Sequence, residues 1–116
     1  MKWQIAYTHQ ANQDLQAIYE YIAFTLEAPA AAQDLYHEII GTIRSLDTMP
    51  QRFPLYKHRK WHNQELRFAP VENYLVFYKT DTDTACAYIV RILYGGRDIE
   101  RQLGNVELLK EMDEDV

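Results

Sequence analysis

A single cysteine, Cys86, leaves no possibility of an internal disulfide or of a cysteine-rich zinc site. It falls inside an apolar, strand-like run and reads as a small buried hydrophobe, not as a nucleophile. No apolar run approaches the ~18 to 20 residues that span a bilayer. The first residues, Met1-Lys2-Trp3-Gln4-Ile5, alternate and lack the apolar core of a signal peptide. Together these absences predict a reducing, cytoplasmic setting with no membrane partner. Internal repeats and low-complexity segments are also missing. His58 and His62 are four residues apart, but no carboxylate or thiolate accompanies them and Pro54 argues against a regular helix there. No metal site is expected, and no cofactor.

What remains is an ordinary globular composition, 47% hydrophobic and 25% charged, in 116 residues, which predicts one domain with a modest core. The net charge of −5 is unevenly placed. Residues 107–116 hold Glu107, Glu111, Asp113, Glu114 and Asp115 against only Lys110, which accounts for −4 and leaves residues 1–106 at −1. The expected division is a domain over 1–106 and an acidic C-terminal tail over 107–116. Within the body, the stretch 52–67 carries Arg52, Lys57, Arg59, Lys60 and Arg67 against only Glu65. A tail of this kind is usually solvated, with docking near the basic stretch as the sharper alternative.

Trp3, Ile5 and Tyr7 alternate with Lys2, Gln4 and Ala6, a period of two that predicts a strand over 2–7. Thr8 is placed to cap a helix over 10–26, with Leu15, Ile18, Tyr19, Ile22 and Leu26 as its apolar stripe and Asp14 and Glu20 facing solvent. Ala28-Pro29 breaks that helix and starts a second, to about residue 47, striped by Ala32, Leu35, Ile39, Ile43 and Leu46. So short a connection predicts an antiparallel helix hairpin. Gly41 inside the second helix costs roughly 1 kcal/mol relative to alanine, which predicts a close helix–helix approach in compensation. A basic and aromatic loop then runs from Pro50 to His62, long for a structureless connection. It is either a solubilising loop with Phe53 and Trp61 tucked onto the core or a surface for phosphates or an acidic partner.

Strands are predicted over 65–69, stopped by Pro70, over 74–79 and over 85–94. The last two form a hairpin about Asp81-Thr82-Asp83-Thr84. The final strand is nearly all apolar and therefore central. Gly95-Gly96 releases the chain, and Asp98 is placed to cap a helix over 98–110 with Ile99, Leu103 and Val106 on its apolar side. The order β-α-α-β-β-β-α predicts an α+β fold, an antiparallel-dominated four-stranded sheet packed against the N-terminal helix hairpin.

Several motifs fall in register with this order. They are Ala11-x-x-Asp14-Leu15-x-x-Ile18-x-x-Tyr21-Ile22, Ala31-x-x-x-Leu35 with Leu46-x-x-x-Pro50, Leu66-Arg67 before Asn73-Tyr74-Leu75-Val76-Phe77-Tyr78, and Val90-Arg91-Ile92-Leu93-Tyr94-Gly95-Gly96-Arg97-Asp98. In this combination, over residues 2–105, the chain resembles the RelE/ParE superfamily of toxins from bacterial type II toxin–antitoxin pairs. The long first helix and the Arg-x-x-x-x-x-Arg-Asp ending look more like the ParE and plasmid-stabilisation branch. The resemblance implies a growth-inhibiting toxin neutralised in a hetero-oligomer by a cognate antitoxin that wraps the toxin, often between the helix hairpin and the sheet. ParE-like members poison DNA gyrase. RelE-like members cut mRNA in the ribosome without a metal. A non-toxic antitoxin-binding module of the same fold is the third possibility.

Metal-free RNA cleavage needs a base for the 2′-OH, cations for the phosphorane and an acid for the leaving oxygen. Arg67 and Arg91 match the positions where the RNA-cleaving branch keeps phosphate-binding arginines, and strands two and four could set them side by side. Tyr94 matches a general acid or base-stacking position. Each also has a structural reading: Arg91 in an ion pair with Glu72 or Asp98, Tyr94 as a packed strand-end aromatic, Arg97-Asp98 as a local turn and cap. No histidine lies in the Arg91–Asp98 motif and no general base is evident. A nearly neutral body also favours RNA less than a basic one, because such binding draws on displaced counterions. Both points favour the ParE-like branch, for which a non-enzyme is expected; the alternative is a metal-free endoribonuclease. For the antitoxin, the expected contacts are Arg52, Lys57, Arg59, Lys60 and Arg97, together with exposed apolar positions on the helices.

Overall fold

In the computed structural model, residues 2–57, 64–96 and 99–103 are described. β1 (Gln4–Tyr7) leads into α1 (His9–Glu20), a single π turn (Tyr21–Thr25) and α2 (Pro29–Arg44), which ends in a short 3-10 turn. β2 (Arg67–Val71), β3 (Tyr74–Asp81), β4 (Cys86–Tyr94) and α3 (Ile99–Leu103) follow. The sheet order is β1-β4-β3-β2, with β1 parallel to β4 and the other pairs antiparallel. The fold is α+β, as the residue patterning predicts. No helix among the described residues is long and apolar enough to cross a membrane.

Both faces of the sheet are covered, which is why β4 buries Cys86, Ala87, Ile89, Val90, Ile92 and Leu93 in almost unbroken succession. On one face, Leu15, Ile39, Ile43 and Leu46 of the helical layer close over Val76, Tyr78, Ile89 and Ile92. On the other, Ile99 and Leu103 of α3 close over Leu66, Phe77, Val90 and Leu93. Tyr56, Phe68 and Phe77 extend that second layer with edge-on ring contacts, 5.4 Å between centroids for Tyr56 and Phe77.

Four expectations are corrected. The first helix is not a uniform α-helix to residue 26. Leu26 N–H reaches back five residues to Tyr21 O (3.0 Å), so the last turn widens. Pro70 lies inside β2 instead of ending it; β2 is a sheet edge, where a missing N–H removes no ladder bond. Gly41 marks no close helix approach, since a Cβ placed there meets nothing within 4 Å. Asp14 does not face solvent, its side chain being only 11% exposed. The final helix is described only over 99–103; its predicted cap Asp98, its continuation to 110 and the acidic tail 107–116 lie outside the described residues.

Candidate functional site: a groove between the helix tip and the end of the sheet

β1 stops at Tyr7, opposite Ile89, while its neighbour β4 runs on to Tyr94. The far half of β4 therefore has a backbone edge that no strand covers. α1 fills it. Thr8 donates its N–H to Ile89 O (3.0 Å) and its hydroxyl to Val90 O (2.9 Å), while its Oγ1 accepts from Ala11 N–H to cap α1. Two turns later Asp14 Oδ2 accepts from Ile92 N–H at 3.0 Å. The carboxylate thus stands in for the carbonyl of a missing strand.

The same carboxylate grips Arg91 in a two-pronged pair, Nε to Oδ2 at 2.6 Å and Nη2 to Oδ1 at 2.9 Å. Nη1 donates to Gln102 O of α3 at 3.3 Å. Arg91 reaches this position because β4 carries a bulge. Phe77 pairs with Arg91 and Tyr78 with Ile89, so Val90 is the extra residue. The bulge breaks the strict alternation that would have put Ile89, Arg91 and Leu93 on one face: Ile89 packs under the helices and Leu93 under α3. The ion-pair partner is Asp14, not Glu72 or Asp98.

Beyond this pair the surface opens into a groove of about 1100 Å³. The helical wall is Ile18, Tyr21, Ile22, Leu26 and Leu35; the sheet side is Tyr74, Leu93 and Tyr94, with Glu72 on the rim. The π turn sets this wall. It ends with Tyr21 53% exposed, Phe24 72% and Leu26 55%, an apolar tip left open to water. Tyr74 and Tyr94 meet edge-on at 5.6 Å. Burial, with Tyr94 and Tyr21 nearby, pushes the Tyr74 phenol above its ordinary value. The charge of the Glu72 carboxylate raises the Glu38 carboxyl above the usual range, with burial, a side-chain hydrogen bond to Glu72 and the Asp34 charge adding to it.

The predicted site residues do not converge. Arg67 and Arg91 do not sit side by side. β3 lies between their strands, and Arg67 pairs with Tyr78 of the helix-side layer whereas Arg91 pairs with Phe77 of the opposite one. Arg67 Nη1 donates to Gln51 O (3.1 Å) and Phe53 O (2.7 Å), tying the loop after α2 to the sheet. Arg52 caps the end of α2, donating to Ser45 O, Thr48 O and Met49 O and to Ser45 Oγ at 2.7 Å, with its guanidinium 4.7 Å from the Phe53 ring centre. Tyr94 ends β4, half-exposed at the groove. Lys57 is exposed; Arg59, Lys60 and Arg97, with His58, Trp61 and His62, lie outside the described residues. Among the described residues, no group of three His, Cys, Asp or Glu side chains is placed to hold a metal ion.

Asp14, Tyr21 and Tyr74 are the site residues that sequence reasoning missed. Asp14 had a usable signal: it stands three residues after Ala11 and four before Ile18, on the stripe itself and not opposite it.

Residues 5–99 match the model of a family described as the ParE toxin of the type II toxin–antitoxin system parDE. The chain belongs to the ParE toxin family. Its fold is similar to a chromosomal ParDE system from P. aeruginosa, with a TM-score of 0.64 at 18% identity over 80% of this chain and 96% of that one. It is similar also to the RelBE2 toxin–antitoxin complex of Mycobacterium tuberculosis, with a TM-score of 0.58 at 14% identity over 81% and 92%. A third similar structure is the archaeal RelE–RelB complex of Pyrococcus horikoshii OT3, with a TM-score of 0.57 at 17% identity over 84% and 100%. No curated protein sequence matches. For this ParE-family chain, the groove by Asp14–Arg91 opens beside the motifs on which the resemblance rests.

Proposed function

We propose that this type II toxin arrests growth through DNA gyrase and is held inactive by a cognate antitoxin seated in the groove. The observation that carries the choice of target is the engagement of Arg67 and Arg91. A metal-free ribonuclease site needs guanidinium groups free to meet a phosphorane as charge develops on it. Arg91 is closed on Asp14 and the Gln102 carbonyl, and Arg67 on two loop carbonyls. Neither is free without breaking contacts that hold the fold, and the two lie on opposite faces of the sheet. Among the described residues, Tyr94 shares the groove with Arg91, whose guanidinium is already taken, and with the carboxylates of Asp14 and Glu72. The antitoxin reading draws on the exposed apolar groove and on the toxin–antitoxin pairs among the similar structures.

The decisive measurement is gyrase supercoiling with the purified toxin. The expected result is loss of supercoiling that added antitoxin reverses. Supercoiling left intact at concentrations that stop growth refutes the gyrase reading. Primer extension on translated mRNA covers the endonuclease alternative, because cleavage present in the wild type and lost in Tyr94→Phe assigns the phenol a chemical role. Induction that leaves growth unchanged would leave only the non-toxic binding module.

A further inference from the structure

The sheet has two edges, and the fold closes only one of them. β2 is one edge. Along it the outward backbone positions are Leu66, Phe68 and Pro70, and each is dealt with. Tyr56 N–H donates to Leu66 O at 2.7 Å, Phe68 N–H donates to Pro54 O at 3.1 Å, and Pro70 has no N–H to leave open. β1 is the other edge. In its parallel pairing with β4, Gln4 N–H donates to Ala85 O and Thr8 N–H to Ile89 O, so Gln4, Ala6 and Thr8 turn their backbone groups inward. Ile5 and Tyr7 therefore turn theirs outward. Trp3 also faces outward and is taken, its N–H donating to Asp47 O at 2.8 Å. Among the described residues, no such carbonyl meets the Ile5 and Tyr7 N–H groups. Edge strands are commonly guarded by charges or proline, which keep other strands away. Residues 3–13 contain no Asp, Glu, Lys, Arg or Pro.

From this we infer that the open edge of β1 takes a second copy of this chain, its own β1 laid antiparallel so that the two sheets join across a two-fold axis. The open positions are self-complementary about Ala6, as an isologous contact requires. Ile5 of one copy faces Tyr7 of the other, and each such pair exchanges both N–H···O=C bonds, which uses every open donor on the two edges. Trp3 adds no further rung, because Asp47 holds its N–H, and Thr8 adds none, because it is bonded to β4. The pairing is thereby confined to one register. Ala6 falls on the axis as a non-hydrogen-bonded pair, where Cα atoms approach to about 4.5 Å, and alanine leaves room for that approach. Ile5 and Tyr7 are half-buried and pack against the helix-side core, so their contact across the axis adds a β-branched–aromatic pair on that face. With no charge over residues 3–13, a second copy brings no like charge to the strand. No residue of β1 lines the groove, so this surface goes beyond the toxin reading and does not depend on it.

The test is sedimentation of the full-length chain over a range of concentrations. The mass is expected to rise from 13.7 kDa toward twice that value. In amide exchange, Ile5 and Tyr7 are expected to slow as concentration rises, while Ala6, already turned to β4, stays slow throughout. Ala6→Lys and Ala6→Glu each set like charges against each other on the axis and are expected to remain monomeric, whereas an equimolar mixture of the two is expected to dimerise. Ile5→Pro removes one outward donor from each copy without touching the bonds to β4, and is expected to weaken the dimer about 30-fold. A wild-type chain that stays at 13.7 kDa at every concentration overturns the inference. So does an Ala6→Lys variant that dimerises like wild type, or a mixture of folded Ala6 variants that stays monomeric. Ile5 and Tyr7 amides that slow only when antitoxin is added assign the edge to a partner strand and overturn it equally. Thermal melts check that the variants fold; should the Ala6 variants melt early, Ile5→Pro and the wild-type exchange pattern decide in the same way.

Discussion

Replacing Asp14 by alanine removes three hydrogen bonds at once: two to Arg91 and one to Ile92 N–H. The side chains of Arg91 and Asp14 are 14% and 11% exposed, so water replaces little of what is lost. Removing one partner of a buried ion pair costs about 3–5 kcal/mol, because the other charge stays behind uncompensated. The slight exposure and the surviving bond from Arg91 to Gln102 O place this case near the lower end, at about 3 kcal/mol. In a domain of this size that is a fall in Tm of roughly 12 °C. In urea, with a slope near 1.5 kcal/mol/M, the midpoint falls by about 2 M. Asp14→Asn keeps an acceptor for Ile92 N–H and should lose only about 1–2 kcal/mol. Arg91→Ala should cost nearly as much as Asp14→Ala, and the double variant little more than either, because the residues act as one unit. Asp14→Ala that stays within about 1 kcal/mol of wild type refutes the edge-filling role. Arg91→Ala that folds normally yet loses toxicity would mean that the guanidinium serves a ligand and not the fold.

Gly41→Ala should stabilise the protein by about 0.5–1 kcal/mol, because the added methyl meets nothing and the helix gains propensity; a lower urea midpoint would contradict the open geometry. Tyr78 is fully buried, donates to Pro50 O at 2.5 Å, and is pushed by burial to about 12. The unfolded phenol ionises near 10, so the stability this group contributes is complete below that pH and is lost as pH rises toward 12. Tyr7, Tyr74 and Tyr88 are raised as well and act in the same direction. Urea titrations at pH 8 and 10.5 should show wild type weakening with pH and Tyr78→Phe weakening less, from a starting point about 1–2 kcal/mol lower because Pro50 O loses its donor. Equal pH slopes in the two proteins would exclude Tyr78 as the source.

The order of elements was legible because period-two and period-3.6 apolar patterns are laid down by burial, and both sheet faces and the helix hairpin bury large areas. Local departures were not legible. The π turn at Tyr21–Thr25 keeps apolar residues at nearly helical spacing, so Ile22 and Leu26 read as one stripe although the backbone widens beneath them. The bulge at Val90 inserts one residue without leaving a glycine or proline to mark it, and every face assignment after it shifts. Arg91 therefore pairs with Asp14 and not with the Glu72 or Asp98 that the residue pattern offers. Arg67 and Arg52 were noticed as charges, whereas their work is to satisfy carbonyls in the loop that follows α2.

That misreading bears on how basic residues are weighed in small folds. A short irregular loop such as 45–53 leaves carbonyls that no helix or strand satisfies, and these must find donors. Arginine supplies several donors on one planar group, so Arg52 alone serves Ser45, Thr48 and Met49, and Arg67 serves Gln51 and Phe53. A run of cations beside such a loop is then a measure of backbone to be tied down before it is a measure of attraction for phosphate.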